Sequence, residues 1–188
     1  MGDNTRGALI VGEDGDVDHE RTLAASPFPG DDGQASPRTR ERLAAVAGAA
    51  EPAAYLRAVV ALCEDRVLVP VVATAVRMGT TVGGLASDKE AEMSVVLLEA
   101  ADGRRAMLAF TGLDALQTWD ARARPVPITL DLAAKTALAE GVAAVLVDVA
   151  GPHPLALEGD VLTELAAGHR LVELPGGSFG WMVATPSS

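Results

Sequence analysis

The sequence predicts an α+β domain with a single mixed β-sheet, antiparallel at its centre and packed with helices. Three observations carry the expectation. The run "RVLVPVVATAV" (66–76) is β-branched and too apolar to be half exposed, so it reads as a central strand with both faces covered. Two further apolar runs, "EMSVVLLEA" and "RRAMLAFTG", flank Asp102-Gly103, a dipeptide suited to a tight hairpin turn. From Thr111 onward helical and strand patterns alternate, and helical crossovers favour parallel additions with right-handed connections.

Taken in order, residues 1–35 form an acidic arm. Asp3, Glu13, Asp14, Asp16, Asp18, Glu20, Asp31 and Asp32 face only Arg6 and Arg21, and Gly and Pro interrupt the stretch, so a largely flexible segment is expected. Leu23 and Phe28 are apolar anchors by which it could dock. The domain proper is placed at 36–175. Ser36 suits an N-cap and Pro37 a first helical position, and Leu43, Val46 and Ala47 repeat at helical spacing. Pro52 restarts a second helix whose stripe is Tyr55, Leu56, Val59, Val60 and Cys63. In the first strand Pro70 removes a ladder donor, which marks a bulge or an edge.

After the hairpin, "TGLDALQTWDA" reads as a helix capped by Thr111 with Asp114 at N3. A short strand "VPITL" follows Pro125. The helix "DLAAKTALAEG" starts at Asp131 and stops at Gly141. "AAVLVDVA" is a buried strand and "GPHP" a turn. The last helix, "GDVLTELAAGH", has Asp160 near its start and Gly168 as its stop, and "RLVEL" is a final strand. Residues 176–188 are a glycine-rich turn and tail.

Composition narrows function. Of 188 residues, 49% are hydrophobic and 3% aromatic, so a sizeable core must be built from Val, Leu and Ala. The net charge of −11 argues against nucleic acid and anionic membrane surfaces as partners and favours solubility or a basic partner. With Cys63 the one cysteine, no intramolecular disulfide forms, and the thiol reads as a small buried hydrophobe. The most apolar run is about half the ~20 residues of a spanning helix, and no secretory leader pattern opens the chain. A cytoplasmic protein is expected.

Several stretches imitate catalytic motifs. "GGSFG" (176–180) spells the G-x-S-x-G of a nucleophile elbow. Yet no helix pattern, His, Asp or Glu follows Ser178, so the expectation is a glycine-permitted turn that lets Phe179, Trp181 and Met182 cover the core. "GTTVGGLA" (79–86) spaces Gly79 and Gly84 like a phosphate loop but has Leu85 and Ala86 where Lys and Ser or Thr belong. Asp14, Asp16 and Asp18 open like a calcium loop, but His19 stands at the glycine position and Ala25 at the final glutamate position. His19, His153 and His169 are far apart and lack ligand spacing. The carboxylates of Asp88, Glu90 and Glu92 read as a charged loop, and Arg104 and Arg105 as a strand end with Glu99 across the hairpin. No residue is assigned as catalytic, cofactor-binding or metal-ligating, and no cofactor is expected.

The order of "SPFPGDDGQASP", "RVLVPVVA", "SDKEAEMSVVLLEAADGRRAMLAFTGLDALQTW" and "RPVPITLDLAAKTALAEGVAAVLVDVAGP" resembles the SseB family (the SseB N-terminal domain), in its actinobacterial form. The most specific piece is DGR-x-x-x-x-x-FT-x-x-x-A-L-x-x-W, Asp102 to Trp119. Two departures stand out: Gly112 in place of a Ser after Phe-Thr, and Val149 in place of a Pro after Asp148. The resemblance implies a domain with no catalytic residues to carry over, linked in related proteins to specialised secretion. The expected function is a non-catalytic protein-interaction or secretion-associated accessory protein, with an unknown protein partner or a homo-oligomer formed through a strand edge or the helical pair at 38–64. The competing expectation is a small-molecule-sensing or enzymatic domain with a pocket near the 79–84 loop or the 148–153 turn.

Overall fold

Pro37 does open the first helix, α1 (Pro37–Gly48), and Pro52 opens the second, α2 (Pro52–Glu64). The structure, a computed structural model, describes residues 28–48, 51–74, 92–99 and 103–183. The strand β1 (Arg66–Thr74) follows α2 directly, and β2 (Glu92–Val95), β3 (Leu97–Glu99) and β4 (Arg105–Ala109) come next. Then come α3 (Leu113–Trp119), β5 (Arg124–Thr129), α4 (Leu130–Ala139) and β6 (Ala144–Val147). The chain continues through β7 (Leu155–Glu158), α5 (Gly159–Ala166), β8 (His169–Glu173) and β9 (Phe179–Val183).

The α+β class stands, but the single sheet does not: the strands of the described residues form three sheets, ordered β2-β1-β5, β3-β4-β6-β7 and β8-β9. Pro70 shows why the first two separate. Val96 N donates to the Pro70 carbonyl (3.2 Å), but Pro70 has no N–H to return. The Val96 carbonyl accepts from Leu108 N instead (3.4 Å). The apolar run at 92–100, expected as one strand, is therefore handed from β1 to β4 at Val96. The two sheets stay stitched by the reciprocal Leu68–Phe110 bridge (2.7 and 2.8 Å).

The crossovers are also resolved. β6 joins β4 in parallel, as helical alternation suggests. β5 instead pairs antiparallel with β1. Because β1 runs antiparallel to both β4 and β5, the connection through α3 does return β5 in the direction of β4, but with β1 lying between them. Pro125 and Pro127 sit opposite Pro70 and Leu68, whose polar groups point to the other side of β1, so the ring nitrogens face the open edge of β5 where no ladder donor is required.

β7 lies in "LALE", a stretch to which sequence patterning assigned no element. The hairpin β3–β4 turns through Gly103 (φ +82°), with Glu99 opposite Arg105. Side chains divide between two cores as the strand pleat demands. Val67, Val69, Met107, Val145 and Val147 face α1, α2, α4 and α5, whereas Leu68, Leu108 and Phe110 face Ala115 and Leu116 of α3. Phe110 meets Trp119 with ring centroids 5.7 Å apart.

Candidate functional site

Among the described residues, the buried polar and charged ones are Thr39, Arg66, Thr111 and Asp148. All four lie on one chain of hydrogen bonds. Thr39 Oγ1 donates to Asp65 Oδ2 (3.2 Å), and Asp65 Oδ1 accepts from Arg66 N (2.8 Å). The Arg66 guanidinium, 6% exposed, donates to both carboxylate oxygens of Asp31 (2.9 Å each), to the Gln34 carbonyl (2.8 Å) and to the Thr111 carbonyl. Thr111 N and Oγ1 donate to the two oxygens of Asp148 (2.8 and 2.6 Å). Arg40 Nε on α1 donates to Thr111 Oγ1 (2.9 Å) and Arg40 Nη2 to Asp114 (2.6 Å).

Local structure puts each group there. Thr111 sits just past β4 and Asp148 just past β6, the C-terminal ends of two parallel neighbours. Asp148 adopts φ +51°, a left-handed conformation that Asp tolerates better than most residues. Its amide still continues the ladder to the Ala109 carbonyl (2.9 Å), while the chain turns back through Gly151 N to the Asp148 carbonyl (2.8 Å). Thr111 is therefore not the cap of α3. The Ncap is Gly112, without a side-chain bond, because the Thr111 hydroxyl is committed to Asp148 and Arg40.

The end of a parallel strand pair is where open α/β sheets place ligands. Here the chain's own residues 31–36 and α1 occupy the position. Leu113 N donates to the Gly33 carbonyl (2.8 Å). A Cβ on Gly112 would meet Ala35 N at 2.8 Å, and one on Gly33 (φ +77°) would meet Leu113 Cδ1 at 2.2 Å. The Arg66 guanidinium beside Asp31 holds that carboxyl below its ordinary range, and the bond from Gly33 N acts in the same direction. Residues 31–35, expected within a flexible arm, are thus seated against buried charge.

The residues marked by motif scatter. Ser178 is exposed in the β8–β9 turn, where Gly176 (φ +91°) and Gly177 (φ +80°) take left-handed conformations, and a strand follows rather than the helix an elbow requires. Phe179 and Trp181 pack on the larger core, but Met182 points outward, 57% exposed. Cys63 is buried, and burial pushes its thiol up. His169 Nδ1 lies 2.6 Å from Glu164, and His153 Nδ1 is buried without a hydrogen-bond partner among the described residues. Among the described residues no group of three or more His, Cys, Asp or Glu is placed to hold a metal, and no helix is long and apolar enough to cross a membrane. The aspartates at 14, 16 and 18, His19, the 79–86 loop and residues 88–91 lie outside the described residues.

Two surface grooves among the described residues bear on the site. One, of about 660 Å³, runs between Phe28–Pro37 and Asp65–Arg66. The other, of about 360 Å³, lies at the seam between Val71, Val96 and Trp119. Neither is lined by Asp148, His153 or Arg104. The Thr111–Asp148 pair was missed from sequence as a unit; an acid ending a buried strand, "AVLVD", was the available signal.

No curated protein and no solved structure matches this chain. The family model described as the SseB protein N-terminal domain matches residues 40–164. That span holds Arg40, Arg66, Thr111 and Asp148, excludes Asp31, and ends within α5, so the β8–β9 hairpin lies beyond it. From Gly103 onward, the stretch that carried the resemblance is, in three dimensions, the start of β4, the Thr111 clamp and the Phe110–Leu116–Trp119 core. With the matched model covering most of its length, the chain belongs to the SseB family.

Proposed function

We propose that the protein is a non-catalytic accessory domain that works through protein contacts, in the cytoplasm and in association with secretion, as expected of an actinobacterial SseB form. One observation carries the reading. Both buried charges are closed by partners within the fold: Arg66 by Asp31 and two carbonyls, Asp148 by Thr111 with Arg40 Nε 3.9 Å away. Groups so closed hold elements together and present no free acid or base to a substrate. Outward, α4 instead offers Leu132 and Leu138, both exposed, on either side of exposed Lys135. Large apolar side chains left exposed on one helix suit a protein contact. The net charge of −11 supports a protein partner over nucleic acid or an anionic membrane.

The test is photo-crosslinking in cells with a reactive amino acid at position 135. A discrete captured protein is expected, lost in Leu132→Glu/Leu138→Glu while the far-UV melt is unchanged. Capture that is absent, or indifferent to the two leucine substitutions, removes the α4 surface as an interface. Turnover of any small molecule by the purified chain would remove the non-catalytic reading.

A further inference from the structure

We infer that β9 is a self-pairing edge: two copies of the chain join antiparallel through Phe179–Val183 about a two-fold axis at Trp181. This stands apart from the α4 reading above, which concerns a different surface and a different partner.

The argument begins with edges. A strand with an unpaired side is a template for another strand, and folded proteins blunt such sides with charge or proline. Among the described residues every other edge strand includes a charge or a proline in its sequence: β2 begins at Glu92, β3 ends at Glu99, β5 holds Pro125 and Pro127, β7 ends at Glu158, and β8 holds Arg170 and Glu173. On β7 the Tyr55 hydroxyl also donates to the Ala156 carbonyl (3.2 Å). Among the described residues β9, "FGWMV", is the one edge strand with neither a charge nor a proline. In a chain of net charge −11, this is an edge where two copies can meet without opposing like charges.

Backbone parity then fixes the register. Leu174 N donates to the Ser178 carbonyl (2.7 Å), so 174 and 178 form a hydrogen-bonded pair. Hydrogen-bonded and non-hydrogen-bonded pairs alternate along an antiparallel ladder. By the observed register, Val172–Gly180 and Arg170–Met182 are therefore bonded pairs, whereas Glu173–Phe179, Leu171–Trp181 and His169–Val183 are not. The N–H and C=O groups of Phe179, Trp181 and Val183 consequently point away from β8, to the open side.

A second β9 laid antiparallel with Trp181 opposite Trp181 satisfies these groups. Trp181 pairs with its own copy and Phe179 with the partner's Val183 at both ends, giving about six inter-chain hydrogen bonds. Phe opposite Val is a favourable aromatic–β-branched pair. Val183, 75% exposed in the protomer, gains a neighbour, and the two-stranded ribbon becomes four-stranded. The contact is isologous, so it closes at two copies. Its short length places it among weak, concentration-dependent interfaces.

The experiment uses the full chain. Sedimentation velocity should show the mass doubling as concentration rises from about 5 to about 500 µM, the range of a weak interface. Amide exchange at the two ends of that range should show Phe179, Trp181 and Val183 becoming protected with concentration, while Gly180 and Met182 are protected throughout. Val183→Pro removes an outward N–H without touching the β8 ladder, and Val183→Lys adds an edge charge. Each should weaken association at least about tenfold with the far-UV melt unchanged, as edge guards do. A protomer mass at every concentration overturns the inference. So do a dimer indifferent to both variants and outward amides protected equally at all concentrations, the signature of another segment on the edge.

Discussion

Replacing Asp31 by Ala removes the carboxylate that holds the buried Arg66 guanidinium with two bonds of 2.9 Å. Stripping one partner from a fully buried ion pair costs about 3–5 kcal/mol. Two features reduce that here. The Asp31 side chain keeps 18% exposure, and Arg66 still donates to the Gln34 and Thr111 carbonyls. The expected loss is about 2–3 kcal/mol, a fall in Tm of about 4–12 °C for a domain of this size. Asp31→Asn, which can keep the bond from Gly33 N, should cost about half as much. Arg66→Met completes a double-mutant cycle with an expected coupling of about 1.5–3 kcal/mol.

The pH dependence has a definite sign. Because Arg66 lowers the folded pKa of Asp31, the contribution is complete above the unfolded value of about 3.9 and is lost as pH falls through the lower folded value. Urea unfolding followed by circular dichroism at pH 7 and across the acid range measures all of this. An Asp31→Ala variant within about 0.5 kcal/mol of the parent at pH 7 would refute the reasoning, since that is the effect of an ordinary surface substitution. So would a difference that persists undiminished into strong acid.

Four further outcomes are expected. Thr111→Val deprives buried Asp148 of its 2.6 Å hydroxyl bond and should cost about 2–3 kcal/mol by urea unfolding, whereas Thr111→Ser should cost under about 1. Gly112→Ser, the residue expected from the family pattern, would drive its Cβ against Ala35 N and should destabilise by about 1–3 kcal/mol, with faster amide exchange at Leu113, whose N–H is held by Gly33. Trp181→Ala, cutting into the larger core, should cost about 1–3 kcal/mol, while Ser178→Ala stays within about 0.5 by thermal melting. Burial raises the Cys63 thiol, so iodoacetamide at pH 8 should label it in the native protein at least about tenfold more slowly than in urea, as mass spectrometry will show.

Local signals written in the chain were readable because their causes are local. Pro37, Pro52, Gly103, Gly141 and Gly168 act within a few residues, and each marks a real boundary. β7 escaped because "LALE" is four residues long, too short to show a period against a helix that begins at its next residue. The division of the sheet escaped for another reason. Pro70 announces a missing donor, but not that the bond it leaves open, at the Val96 carbonyl, will be taken up by β4.

Thr111 shows the limit most clearly. Before an apolar helix with an acid three residues on, a threonine has every local reason to cap. It does not, because Asp148, brought alongside by the parallel β4–β6 pairing, takes both its amide and its hydroxyl proton. Capping would leave the Asp148 carboxylate buried and short of donors, and an unsatisfied buried charge costs more than an uncapped helix end. Long-range pairing thus decides the role of a residue whose neighbours argue otherwise. The same clamp bears on Arg66: the buried Thr111 carbonyl, like that of Gln34, is one of the acceptors that make a buried guanidinium tolerable at the start of β1. Asp31, from the segment expected to be flexible, then supplies the neutralising charge.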